Sequence, residues 1–144
     1  DYTTSSLRKK LTGVFYKSFF SEEERERIKK SSDNKINDYI FLLSSEDIKN
    51  TKFGFLSSGA EFDKARISAA TDYAKCMGVS CDYYDNATWL LRTSADTGRV
   101  CGIYEEGVLL SNRDAGDASM GIRPAMHIDL SETEKRRDNR WKNQ

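Results

Sequence analysis

Residues that often form functional sites are scarce in this 144-residue chain, which has one histidine, one proline, two tryptophans and three cysteines. It has no GxxxxGKS or GxxxxGKT phosphate loop, no GxGxxG, no HExxH and no paired CxxC. These absences exclude the common signatures of nucleotide binding, dinucleotide binding and zinc proteolysis. Three cysteines cannot all pair within one molecule. A disulfide with one remaining thiol and three buried thiols are both open, and we expect structural thiols because buried cysteine behaves as a small hydrophobe.

Long apolar runs and an excess of one charge are also missing. No run approaches the roughly 20 residues that span a bilayer, and 23 basic residues balance 23 acidic ones. No lysine occurs between Lys75 and Lys135, and residues 76–130 carry four basic and eight acidic groups. We therefore expect neither a nucleic-acid partner nor membrane insertion.

The chain opens with DYTTSS at Asp1, without a methionine or a signal-peptide pattern, which indicates a mature form or a fragment. An extracellular or cell-surface location is expected, with the cytoplasm as the alternative. The length and the 38% hydrophobic content predict one domain over residues 1–130. Residues 131–144 form a charged tail whose helical or disordered state stays open.

Helical signals dominate the first half of the chain. An apolar stripe predicts a helix from Ser6 to Lys17, and a capping box at Ser21 predicts another from Glu22 to Lys30. A third helix should follow Thr71 as N-cap and end before Gly78.

Strand signals follow, mostly in the second half. DYIFLL (residues 38–43) is a short buried run, TWLLRTS supplies a strand from Trp89 to Ser94, and residues 99–104 and 108–111 flank a glycine turn at Gly107. A last strand should cover residues 122–130. The pattern predicts an α+β fold with a twisted, mainly antiparallel sheet and flanking helices. The residues predicted to be largely buried are Leu11, Phe15, Ile40, Leu42, Tyr73, Trp89, Leu91 and Ile122.

Six short motifs occur together in a fixed order: SLRKKL (residues 6–11), FYKSFFSEE (15–23), DYIFLLS (38–44), TDYAKCMG (71–78), WLLRTS (89–94) and GIRPA (121–125). Their order resembles that of an uncharacterised bacterial domain family with WWLRSPG and G[VI]RPA motifs. Leu90 stands where that family has a second tryptophan, and Thr93-Ser94-Ala95 replaces its Ser-Pro-Gly.

The resemblance implies a fold similar to C-type lectins and to formylglycine-generating enzymes, here without the family's N-terminal strands. In such a fold the first and last strands lie together, so the strand at 122–130 would lack its neighbour. The resemblance thus implies pairing with a missing segment or with another chain. It also implies a bacterial surface or secreted protein.

Two polar loops, residues 79–88 and 112–119, are the expected ligand face, since loops on a rigid scaffold carry binding. Their candidate residues are Asp82, Tyr83, Tyr84, Asp85, Asn86, Asn112, Arg113, Asp114 and Asp117. The tyrosines suit stacking on a sugar ring. The carboxylates match no EF-hand spacing, and the sugar-binding triplets of C-type lectins are absent, so no metal ligand is assigned.

Four further residues are expected to be structural. Trp89 belongs to the core, Arg92 and Arg123 brace loops through internal ion pairs, with ligand contact as the alternative, and Pro124 suits an edge or the start of a strand.

Catalytic candidates are few. His127 is the only histidine, no serine or cysteine nucleophile is linked to it by a motif, and Cys76 or Cys81 with Cys101 only imitates the copper-binding pair of formylglycine-generating enzymes. We therefore expect no catalytic residue and no cofactor. Two hypotheses remain: a non-catalytic module that binds a glycan or a protein, and an enzyme or enzyme remnant on the same scaffold.

Overall fold

The computed structural model describes residues 1–32 and 36–131. Short helices and small antiparallel sheets make up this part of the chain, which confirms the α+β class. None of the helices in these ranges is long and apolar enough to cross a membrane. The predicted charged tail begins at Ser131, and its residues 132–144 lie outside the described part of the chain.

The first helical segment runs from Ser6 to Phe19, close to its prediction. It consists of helix α1 (Ser6–Lys10), a π-helical turn (Leu11–Phe15) and helix α2 (Tyr16–Phe19). The Ser5 side chain caps it by accepting a hydrogen bond from the amide of Arg8 at 3.1 Å. Phe15 is half-buried rather than largely buried, because its ring stacks on the exposed Phe19 with centroids 4.6 Å apart.

Helix α3 (Glu22–Arg27) begins with the predicted capping box. The expectation that this helix continues to Lys30 is wrong, because strand β1 (Ile28–Lys29) begins directly after Arg27. Strand β1 pairs antiparallel with a strand at residues 127–128, and the side chain of Ile28 is buried. The burial and the pairing of β1 outweigh the helical propensity of the charged segment before it.

The largest sheet has three antiparallel strands in the order β3 (Trp89–Asp96), β4 (Arg99–Ile103) and β5 (Leu109–Asp114). Gly107 supplies a φ of +78° in the turn before β5, as the sequence predicts. The prediction of a loop from residue 112 is wrong over residues 112–114. Those residues extend β5, with Arg113 opposite Val100 and Asp114 opposite Arg99.

The remaining strands are short. The predicted strand at residues 38–43 is reduced to β2 (Phe41–Leu42), and the one at 122–130 is divided into β6 (Pro124–Ala125) and β7 (His127–Ile128). Strand β2 pairs with β6, and β1 pairs with β7. The expectation that the last strand lacks a neighbour is therefore wrong.

Contacts divide the chain into two units. One contains Asp1–Tyr2 and Leu42–Pro124, and the other contains the described residues of Thr3–Phe41 and those from Ala125 to Ser131. The core of the first unit is formed by Ile48, Trp89, Leu91, Cys101 and Ile103, with Leu43 and Leu109 packed against them. In the second unit the buried Asp38 carboxylate binds the guanidinium of Arg8 at 2.6 and 2.8 Å.

Two of the residues predicted to be in the core lie at the surface. Tyr73 is 74% exposed and Ile122 is 42% exposed. Helix α4 (Asp72–Cys76) has Ala74 and Lys75 half-buried, so Tyr73 lies on its outer face. Ile122 follows the buried Gly121 and takes the solvent side of the chain there.

A buried arginine orders the segment between residues 48 and 66. Arg66 is 0% exposed and forms an ion pair with Asp63 at 3.1 Å. Its guanidinium also donates to five backbone carbonyls, those of Ile48, Leu56, Ser58, Glu61 and Gly107. All of these carbonyls except that of Ile48 lie outside helices and strands, so one side chain supplies hydrogen bonds that regular structure would otherwise provide.

Candidate functional site

The predicted loop at residues 79–88 follows helix α4, and both ends of that helix match their predictions. The Thr71 side chain accepts a hydrogen bond from the amide of Ala74 at 3.1 Å. Gly78 has a φ of +90°, and the amide of Val79 donates to the carbonyl of Ala74 at 3.0 Å. This capped turn fixes the direction in which the chain enters the loop.

Asp82 holds the loop together from inside. Its carboxylate accepts hydrogen bonds from the amides of Tyr84 and Asn86, each at 2.8 Å, and from the Asn86 side chain at 2.9 Å. Partial burial acts to raise the pKa of Asp82, but the bonds from Asn86 and Tyr84 outweigh it and lower that pKa. These hydrogen bonds favour the ionised carboxylate and tie Asp82 to the backbone of its own loop.

Lys75 connects helix α4 to the same loop. Its ammonium lies 3.0 Å from the carboxylate of Asp85 and 3.3 Å from that of Asp72. Hydrogen bonds to Asp85, and then to Asp72, raise the pKa of Lys75. Asp85 has a φ of +64°, and its carbonyl accepts a bond from the amide of Ala70 at 2.8 Å.

The loop presents two aromatic side chains to solvent. Tyr83 is 94% exposed and Tyr84 is 78% exposed. Their rings are nearly perpendicular, with an interplanar angle of 84° and centroids 5.4 Å apart. Tyr73 and Met77 add two more exposed side chains on the outer face of α4 and its C-terminal end. We call these four residues, Tyr73, Met77, Tyr83 and Tyr84, the α4–loop surface.

The sequence predicts that Tyr83 and Tyr84 lie at the surface, as the structure has them, but it does not predict the exposure of Tyr73 and Met77. Their spacing of four residues shows that they share one helix face. It does not show whether that face points inward. The short length of α4 and its half-buried Ala74 and Lys75 on the other side decide the direction.

The second predicted loop meets the first at one backbone contact, where the amide of Ser80 donates to the carbonyl of Ser119 at 2.8 Å. Asp114 and Asp117 bind their own loop, Asp114 through the amide of Gly116 and Asp117 through Ser119. The bonds from Ser119 lower the pKa of Asp117. Asn112 is exposed and Arg113 is half-buried. The structure thus joins the two loops near residue 119, not over the whole candidate set.

The four residues expected to be structural lie as follows. The Trp89 side chain is buried and donates to the carbonyl of Arg66 at 3.0 Å. Arg92 contacts the carboxylate of Asp47 at 2.7 Å and the carbonyl of Leu42 at 2.9 Å. The guanidinium of Arg123 lies 5.0 Å from the centre of the Trp89 ring and donates to the carbonyl of Arg66. Burial lowers the pKa of Arg123. Pro124 begins β6 and is half-buried.

The catalytic candidates are spread through the fold. All three cysteines are free thiols: Cys76 is exposed, Cys81 is half-buried, and Cys101 is in the core, where burial raises its pKa. His127 lies on β7 with its ring 5.3 Å from that of Phe41. Within residues 1–32 and 36–131, no group of three or more histidine, cysteine, aspartate or glutamate side chains is arranged to hold a metal ion.

Comparison of the chain with curated proteins and with solved structures gave no match. A family model described as a domain of unknown function, DUF6273, matches residues 1–130. The match covers all six sequence motifs, both loops and helix α4, and it agrees with the expected uncharacterised domain family. The chain therefore belongs to the DUF6273 family.

Proposed function

We propose that this protein is a non-catalytic binding module that uses the α4–loop surface to recognise a glycan or a protein. The observation that carries the proposal is the exposure of Tyr83 and Tyr84 on a loop that is internally hydrogen-bonded. Exposed apolar side chains that lie together mark interaction sites more often than single exposed ones do, and the rings of Tyr83 and Tyr84 are in contact. Tyrosine is also enriched at the residues that contribute most to binding.

A rigid loop makes such a surface effective. Ordering a flexible loop on binding costs free energy that reduces affinity. Here Asp82 already orders the loop through three hydrogen bonds, and Lys75 ties the loop to α4. Tyrosine also loses little side-chain entropy for the area that it buries. The surface is therefore ready to bind without a large rearrangement.

The proposed scaffold is a C-type-lectin-like fold on a bacterial surface or secreted protein. The six ordered motifs and the three-stranded antiparallel sheet β3–β4–β5 support it. Loops carry recognition in such a design, while the sheet supplies rigidity.

Nothing in the described residues favours the enzymatic alternative. Cys101 lies in the core cluster with Trp89 and Ile103, away from solvent. The ring of His127 lies against Phe41. No nucleophile and base come together in these contacts, so we carry only the binding module forward.

The proposal is tested by Tyr83→Ala and Tyr84→Ala. The unmodified protein is screened on a glycan array and by pull-down, and the variants are then assayed against every ligand found. We expect each substitution to abolish or strongly weaken capture while the Tm changes by only a few degrees, because both side chains are exposed. Tyr104→Ala is the matched control, since Tyr104 is 42% exposed in the turn after β4. Capture that survives both loop substitutions would place the ligand face elsewhere.

A further inference from the structure

We infer that the α4–loop surface recognises a cationic side chain, arginine or lysine, of a partner protein. This inference rests on the proposed function and specifies its ligand class. Three observations carry it: the geometry of the tyrosine pair, the local excess of carboxylates, and the exposure of two of those carboxylates.

The tyrosine pair presents open aromatic faces in two directions. Because the two rings are nearly perpendicular, one flat ligand cannot stack on both of them. A lysine ammonium needs no such alignment, and an arginine guanidinium needs only one of the two ring faces. Either cation is attracted to any ring face within about 6 Å of the centroid. With exposures of 94% and 78%, both rings have faces that a cationic side chain can reach.

The surroundings of the rings are negative. Between Ile67 and Leu91 the chain has three carboxylates, Asp72, Asp82 and Asp85, and one basic residue, Lys75. Lys75 is shared between Asp72 and Asp85, so its single charge does not neutralise both. The hydrogen bonds to Asp82 lower its pKa and so favour its ionised form. Two negative charges therefore remain near the tyrosines and attract cations over a distance of about one Debye length.

The carboxylates around the rings suit a cation better than a sugar. Glycan sites combine an aromatic face with polar groups that are directed at individual hydroxyls. The oxygens of Asp82 already accept hydrogen bonds from the loop's own amides and from Asn86. Asp72 and Asp85 contact Lys75, but their side chains are 99% and 59% exposed, so both keep oxygens that an arginine or lysine side chain can approach. The net negative charge therefore favours recognition by charge and ring face over recognition of hydroxyls.

The probe is the blocked octapeptide (Gly-Arg)4, with (Gly-citrulline)4 as its neutral isostere. Binding to the whole chain is followed by NMR chemical-shift changes at low and at physiological salt. We expect the arginine peptide to bind about tenfold more tightly than the citrulline peptide. Its affinity should fall as salt rises.

Substitutions test whether the tyrosine rings and the nearby charges contribute to peptide binding. Tyr83→Leu and Tyr84→Leu keep apolar area but remove the aromatic face, and each should weaken arginine-peptide binding about two- to fivefold. Asp72→Asn removes one negative charge and leaves the contact between Lys75 and Asp85 in place, so it should weaken arginine-peptide binding and reduce the dependence of that binding on salt. An unchanged affinity of the Asp72→Asn variant would show that the carboxylate charge does not contribute to recognition. Tyr104→Leu serves as the control and should leave the affinity unchanged.

The outcomes separate this inference from the proposed function. Equal binding of the citrulline peptide, or binding that none of the tyrosine variants alters, would overturn the inference of cation recognition. If a glycan or a neutral protein binds in a tyrosine-dependent way while (Gly-Arg)4 does not, the binding module stands and the ligand class is wrong. If no ligand depends on Tyr83 or Tyr84, both proposals fail.

Discussion

At the scale of single residues, Gly107 shows how two separate requirements meet at one position. Its φ of +78° favours glycine. A Cβ at this position would also overlap the carbonyl oxygen of Asp63, and the carbonyl of Gly107 accepts a hydrogen bond from the buried Arg66 at 3.2 Å. The turn in the β4–β5 hairpin is thus packed directly on the segment that Arg66 organises.

Gly107→Ala should therefore destabilise the protein more than a turn glycine usually does. The left-handed φ alone costs about 1–2 kcal/mol for a residue with a Cβ, and displacement of the Asp63 backbone adds about 1–3 kcal/mol of overpacking. Gly98→Ala isolates the first contribution, because Gly98 has a φ of +74° and nothing within 4 Å of the added atom. Urea unfolding of both variants measures the difference. Equal losses would show that the Asp63 backbone moves aside easily.

The sequence predicted the φ of Gly107 but not its contact with Asp63. A local pattern identifies a turn, whereas the partner of that turn depends on segments 44 residues apart in the chain. The same limit applies to Arg66. Arginine is almost never fully buried unless it is paired. The only local signal for its burial was Asp63 three residues earlier.

At the scale of elements, helix caps were predictable and short strands were not. The caps of Ser21 with Glu24, of Thr71 with Ala74 and of Gly78 with Lys75 each join residues three positions apart, so their hydrogen bonds follow from local sequence. Strands β1 and β7 contain two residues each and exist because Ile28 pairs with Ile128 and Lys29 with His127. A two-residue strand has too few positions to show an alternating pattern. No local pattern in the sequence therefore predicts strand β1.

The β1–β7 pair should contribute to the acid sensitivity of the protein through Asp129. Hydrogen bonds from Ser131 and from Lys29 lower the pKa of Asp129 from 3.8 to about 2. Because the folded-state pKa is lower than the unfolded one, the stabilisation is complete above about pH 4 and is lost as the pH falls toward 2. NMR titration of the Asp129 carboxyl carbon should give a midpoint near 2. Lys29→Met should raise it.

Asp129→Asn provides the second half of that test. The variant cannot titrate at this position, so its free energy of unfolding should fall less steeply between pH 4 and pH 2 than that of the unmodified protein. High salt should reduce the effect of Lys29, since the Lys29 side chain is exposed. An Asp129 midpoint close to 3.8 would show that the contacts to Ser131 and Lys29 do not persist in solution.

At the scale of the whole molecule, the distribution of apolar residues decides which surface is available for binding. Apolar type alone predicted burial for both Trp89 and Tyr73. The structure buries Trp89 beside Ile48 and Ile103 and leaves Tyr73 74% exposed. The difference arises because Trp89 lies in the first strand of the β3–β4–β5 sheet, whereas Tyr73 lies on the outer face of the five-residue helix α4. One misassigned core residue thus becomes part of the candidate site.

Two substitutions compare how much the buried Trp89 and the exposed Tyr73 contribute to the free energy of unfolding. Trp89→Ala should lower the free energy of unfolding by about 3–5 kcal/mol, because it opens a cavity in the core and removes the hydrogen bond to the carbonyl of Arg66. Tyr73→Ala should change it by no more than about 0.5 kcal/mol, since the side chain is largely in solvent and alanine favours the helix. Denaturant unfolding of both variants, with binding assays on the folded Tyr73→Ala protein, separates stability from recognition. A large loss for Tyr73→Ala would mean that α4 packs through its outer face, and the α4–loop surface would then be reduced to Tyr83 and Tyr84.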